Sequence, residues 1–175
     1  NGSGGANLGG TINSRGTQIT THSPDSAGAK VDTLGTLRID DNTITTLADN
    51  SPGLWATGAA SALSTPYKGS TLITAGATSH AVQANNGAVI TFDTTATASP
   101  ATYLPIAGSK VSGAGAAVLA ADGVSARIHV KGPQSLDMGM TPADTTGASN
   151  WGALATNSAM ITFSGLADSG GTALK

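Results

Sequence analysis

Cysteine is absent from the 175 residues, and so is glutamate, so that all ten acids are aspartate. Without cysteine there is no disulfide framework and no thiolate set for a structural zinc. Glutamate favours helices and aspartate favours turns, so a chain with aspartate alone is not expected to be helical. Aromatic residues make up 3% of the chain and charged residues 10%. So few aromatics exclude an ordinary globular core, which draws much of its buried area from large side chains. So little charge argues against a disordered tract. The eight basic residues (Arg15, Lys30, Arg38, Lys68, Lys110, Arg127, Lys131, Lys175) form no run, so nucleic acid is not an expected partner. No stretch nears the roughly 20 apolar residues that span a bilayer. The chain does not open on a charged segment followed by an apolar one, so any secretion signal is expected outside this sequence. The lack of cysteine suits an exported chain without requiring export.

What is present is 24 glycines, much alanine, and short Val/Ile/Thr runs between polar corners. The chain is organised around Ser51-Pro52-Gly53-Leu54-Trp55-Ala56-Thr57-Gly58-Ala59. Weaker copies run Ser79–Gly87, Gly115–Gly123 and Asn150–Ser158, with a degenerate one at Ala27–Gly35. In each copy a small residue leads into a short strand and a turn follows. Strand signals recur between the copies: Thr11–Asn13, Thr17–Thr21, Thr36–Ile39, Thr43–Thr45, Ser70–Thr74, Ala88–Phe92, Ser109–Ser112, Ser125–Val130 and Ala159–Phe163. Residues 1–10 are too glycine-rich for a strand and read as a flexible segment or loop.

The steps between copies run Gly28 to Gly53, Gly53 to Ala81, Ala81 to Ala117 and Ala117 to Gly152, lengthening from 25 and 28 to 36 and 35 residues. The excess falls in Asp93–Gly108 and Lys131–Ser149, where Pro100, Pro105, Pro133 and Pro142 lie. Together these features predict one all-β segment over 1–175. It is a parallel β-solenoid of about six turns with loop insertions at its corners, and it continues beyond Lys175. Inward ladders are expected from Ile19, Ile44 and Ile73; from Ile39, Ile90, Ile128 and Ile161; and from Leu54, Val82, Val118 and either Ala153 or Leu154.

The phrases Thr-Ile-Thr-Thr, Asn-Ser-Pro-Gly-Leu-Trp-Ala and Ser-His-Ala-Val-Gln-Ala-Asn-Asn-Gly-Ala-Val-Ile-Thr-Phe resemble passenger domains of Gram-negative autotransporters, the pertactin-like group in particular. The resemblance covers about Thr11 to Phe163. It implies a right-handed parallel β-helix, export through the periplasm, and display at or release from the bacterial cell surface. Membrane attachment would come only through a C-terminal translocator that these residues do not contain. The family's Arg-Gly-Asp tripeptide is not matched, because Thr17 follows Arg15-Gly16.

No Gly-x-Ser-x-Gly elbow marks a nucleophile, and His22, His80 and His129 fall on separate turns. Solvated or corner histidines account for all three. Asp40-Asp41, with Asp32 a corner away, is the nearest approach to paired carboxylates, and corner chemistry explains it. No catalytic residue, cofactor or metal is expected. Large amphipathic rings on loops suit binding, which singles out Trp55, Tyr67, Tyr103 and Trp151, together with Lys68 beside Tyr67. Trp55 is read as pointing partly outward, in the place of Gln83 and Leu119 in the other copies, whereas Phe92 and Phe163 are read as core. The expected function is non-enzymatic: a stalk whose loops bind a host protein or a glycan in adhesion or immune evasion, with self-association as a further possibility. A polysaccharide lyase or hydrolase is the alternative. Ice binding is a third reading, weakened because Thr43/Thr45 and Thr95/Thr97 share no common position.

Overall fold

The computed structural model describes residues 9–40, 42–64, 72–93, 110–112, 115–131 and 151–164. Among these there is no helix, and fifteen strands form three parallel sheets. Sheet one holds β1 (Thr11–Arg15), β4 (Thr36–Asp40), β7 (Ala62–Ser64), β10 (Val89–Asp93), β13 (Arg127–Lys131) and β15 (Met160–Ser164). Sheet two holds β2 (Gln18–Thr21), β5 (Thr43–Thr46), β8 (Leu72–Ala77) and β11 (Lys110–Ser112). Sheet three holds β3 (Ala29–Asp32), β6 (Leu54–Thr57), β9 (Val82–Asn85), β12 (Ala117–Asp122) and β14 (Trp151–Thr156). From β1 to β13 the chain visits the sheets in the fixed order one, two, three. Each strand therefore pairs with the strand one circuit away rather than with its neighbour in sequence.

That register sets like residues side by side. In sheet two Ile19, Ile44 and Ile73 are partners, as expected. In sheet one the row is Ile12, Leu37, Leu63, Ile90, Ile128 and Ile161. Ile39 does not belong to it: Leu37 takes that place, and Ile39 faces inward one pleat further along. Phe92, Val130 and Phe163 form a second inward row, so the two phenylalanines do sit at equivalent strand ends. In sheet three the row is Ala29, Leu54, Val82, Leu119 and Ala153. Val118 was the expected member, but Leu119 holds the position. The third and fourth copies of the repeat therefore align Val82 to Leu119 and Leu119 to Ala153. The reason is local: Ala117 through Ala121 are all buried, so this strand shows no alternation from which to read its faces.

Ile44, Leu54, Ile73, Val82, Ile90, Leu119 and Ile128 are fully buried. Each large apolar side chain so placed contributes on the order of 1.5–3 kcal/mol. The corner from sheet two to sheet three has a polar ladder of its own. Ser26 N–H donates to Ser51 Oγ at 3.2 Å, and Ser51 N–H donates to Ser79 Oγ at 2.8 Å. The Thr21 hydroxyl donates to the Ser26 carbonyl, and one circuit on the Thr46 hydroxyl donates to that of Ser51. Buried serine is tolerated here because each circuit satisfies the next.

Immediately after this ladder the chain bends so closely over sheet two that a Cβ at Gly53 would run into the Ile73 methyl and stand 2.8 Å from the Ala81 carbonyl oxygen. Gly53→Ala is therefore expected to cost about 2–3 kcal/mol by overpacking, read as a lower midpoint in urea. Where sheet three turns into sheet one, Leu34 has φ 65, while Asn86 and Asn157, in the same turn of other circuits, have φ 54 and 50. The left-handed conformation suits asparagine and strains leucine. Leu34 is 43% exposed and gives up little packing, so Leu34→Asn is expected to raise stability by about 0.5–1 kcal/mol in the same titration.

Candidate functional site

The outward side of sheet three carries one row in strict register, formed by Lys30, Trp55, Gln83, Ala120 and Leu154. Neighbouring strands stand roughly 4.8 Å apart, so the first three side chains lie together on one surface. Over them opens a groove of about 480 Å³, lined also by Asp25, Asn50 and His80. The serine ladder fixes its wall, because Asn50 precedes Ser51 and His80 follows Ser79.

Trp55 is half-buried, and the Lys30 ammonium sits 4.2 Å from its ring centroid. The same ammonium is 3.7 Å from the Asp32 carboxylate. Asp32 is itself pinned by the Thr33 N–H at 2.7 Å and the Thr33 hydroxyl at 3.1 Å, and these bonds, more than Lys30, hold its carboxyl below the usual range. The Trp55 indole N–H and the Asn85 side-chain carbonyl are buried without hydrogen-bond partners, a donor and an acceptor left over on adjacent strands of this sheet. Such groups each cost on the order of 1–3 kcal/mol when unpaired.

His80 is the other informative member. Its Nδ1 accepts the Ala117 N–H at 3.1 Å, a role open only to the neutral ring, which leaves Nε2–H as the donor. Burial pushes this imidazole below its ordinary value. His129, on sheet one, is shifted the same way by burial, then by Lys131 and Arg127, and its Nδ1 lies 2.7 Å from the Thr162 hydroxyl.

Of the residues singled out from sequence, Trp55 lies in the groove. Trp151 does not: it is the first residue of β14, paired with Ala117 and 45% exposed. It belongs to a strand and not to a loop, which corrects the expectation. Two strands separate it from Trp55, a step of about 14 Å, so the two rings do not form one site. The residue equivalent to Trp55 in β12 is Ala120, not Leu119. Tyr67, Lys68 and Tyr103 lie outside the described residues, as do Thr95, Thr97 and Asp41. The two longest stretches between strands, 94–109 and 132–150, each follow a strand of sheet one. No group of three His, Asp or Glu side chains suited to a metal occurs among the described residues.

Sequence reasoning missed Lys30 and His80. The available signal was that Lys30 holds the place of Trp55 in the preceding copy of the repeat and His80 that of Pro52 in the following one. It also treated the basic residues as scattered. In fact Arg15, Arg38, Arg127 and Lys131 all project from the outward side of sheet one, with Asp40 in register beside Arg15 and Asp93 beside Lys131. A shallow depression of about 400 Å³ lies between Asn13, Arg15 and Arg38. No family model matches the chain, and neither a curated protein nor a solved structure matches it.

The two histidines make stability pH-dependent with a definite sign. The unfolded chain takes up protons near pH 6.5, while the folded one resists until lower pH, so stability is expected to fall as pH drops from about 7 towards 5. His80→Gln, which keeps an acceptor for the Ala117 N–H, should make that fall shallower in urea titrations across the range, with His129 responsible for the remainder.

Proposed function

We propose that this chain is a rigid, non-catalytic binding segment, wound as a right-handed parallel β-helix of about six turns, that takes a saccharide in the groove over Trp55. The cyclic order of the sheets supports the winding, and the near-universal right hand of parallel crossovers supports its sense. The resemblance to autotransporter passengers supports display at, or release from, a bacterial surface, with a host or environmental glycan as ligand.

The observation that carries the binding reading is a lone indole ring on a flat sheet face, ringed by Lys30, Gln83, Asn50 and the neutral His80. Sugars present a C–H face that suits the negative face of an aromatic ring, and an edge of hydroxyls that suits planar amides and imidazole. The groove volume falls within the roughly 300–1,000 Å³ of small-ligand sites. A standard protein partner would need about 800 Å² of complementary surface per side, whereas a saccharide needs only a groove of this size. This reading takes the face of sheet three as the site in preference to the inserted loops.

Trp55→Ala is expected to weaken saccharide binding at least about tenfold in calorimetric titration, with the far-UV dichroism still β-type. Deletion of residues 95–103 or 133–146 should leave that affinity intact. If the deletions abolish binding and Trp55→Ala does not, the inserted connections are the contact surface. Release of reducing or unsaturated sugars by the intact protein, eliminated by Asp40→Ala, would replace binding with the enzymatic reading.

A further inference from the structure

We infer that the groove selects acidic saccharides, with Lys30 as the residue that reads the ligand's carboxylate. This inference rests on the saccharide reading of the Trp55 groove and names the chemical class within it. Lys30 stands in register beside Trp55 and covers its ring at 4.2 Å. A sugar that stacks on the indole must displace that ammonium, and a tethered ammonium moves only as far as the rim of the ring. For a neutral sugar the cation–π contact is lost with nothing in return. For an acidic sugar the ammonium exchanges a ring face for a carboxylate, and charge-assisted bonds of that kind are the stronger ones.

Nothing else holds Lys30 firmly. Its side chain is 43% exposed and its contact with Asp32 is 3.7 Å long, the geometry of a weak surface pair. Asp32 loses little when Lys30 leaves, because Thr33 satisfies it twice. Asp25, the one acid among the described residues that line the groove, belongs to the corner that leads into β3, whereas Lys30 lies within the strand. One positive and one negative group in different parts of the groove favour a single orientation. The ligand's carboxylate faces Lys30 and its hydroxyls face the corner with Asp25 and Asn50.

The test uses the full chain carrying Trp151→Phe, so that Trp55 is the only indole, and follows its fluorescence and the heat of binding. The probes are sialyllactose against lactose, and trigalacturonate against its methyl ester. Each acidic probe is expected to bind about tenfold tighter than its neutral counterpart, with the difference shrinking as salt is added. Lys30→Gln should erase the preference by weakening the acidic probes and, with no ammonium left to displace, tightening the neutral ones; Lys30→Arg should retain the preference, and Asp25→Asn should raise it. Which of the two acidic probes binds tells whether the carboxylate comes from a sialylated glycan or from a uronate polymer. Equal affinity for acidic and neutral probes, or a preference that survives Lys30→Gln, overturns the inference and leaves the saccharide reading standing. Absence of binding by every probe removes both.

Discussion

Every strand here is hydrogen-bonded in parallel to a strand one circuit away, in register except where β11 slips against β8, and almost everything else follows from that constraint. A parallel pair places equivalent residues side by side, so the choice made at one position in one circuit limits the choice in the next. Inward, this yields Ile19–Ile44–Ile73 and the longer row from Leu37 through Ile161. At the corners it yields a serine ladder in which a hydroxyl buried in one circuit is the acceptor for the backbone of its neighbour. Small side chains are enough for such a core, because strands already fixed by backbone pairing leave a narrow interior to fill. An alanine-rich, aromatic-poor composition is thus compatible with a well-ordered fold.

The same constraint decides what was legible in the sequence. The Thr-Ile-Thr strands of sheet two alternate plainly, with β-branched residues on a polar background, and their row was readable directly. In β4 both Leu37 and Ile39 face inward, so pattern alone could not say which one aligns with Ile90. In β12 apolar residues occupy both faces, alternation disappears, and a slip of one residue exchanges Val118 for Leu119. Such a slip reverses every side chain it touches, which is why Leu119 looked like the counterpart of an outward Trp55 when it is core. Trp151 was misjudged for a related reason: a residue just after a proline-bearing insertion looks like loop, yet backbone pairing with Ala117 claims it for the sheet.

Sites were harder to read than rows because they assemble across circuits of unequal length. Lys30 and Trp55 are 25 residues apart, and Trp55 and Gln83 are 28, yet each pair is adjacent on the sheet. Arg38 and His129 share one outward row of sheet one although more than half the chain separates them. A net charge of −2 and a scatter of basic residues therefore say little about local surface character. What decides it is which row each charge enters. On sheet one the acids fall into the same row as Arg15 and Lys131. On sheet three Lys30 enters beside the only tryptophan of its row and Asp32 enters one pleat further along.

The groove over Trp55 has a floor set by backbone pairing and a rim of longer side chains, a division that fits the binding role proposed for it. The backbone beneath Trp55 is held by β3 on one side and β9 on the other, so the ring's position is fixed before a ligand arrives, and little ordering cost remains to be met on binding. Lys30 and Gln83 are longer, jointed side chains that can adjust to a ligand's edge. An open groove gives modest affinity for each site. If the chain is a surface-displayed stalk, as proposed, many copies would face one polymeric glycan, and a modest affinity repeated at high effective concentration would suffice for firm attachment. The unpaired indole N–H of Trp55 fits the same picture: the fold tolerates one unsatisfied donor under the ring because the ring must sit on the face of the sheet and not within its core.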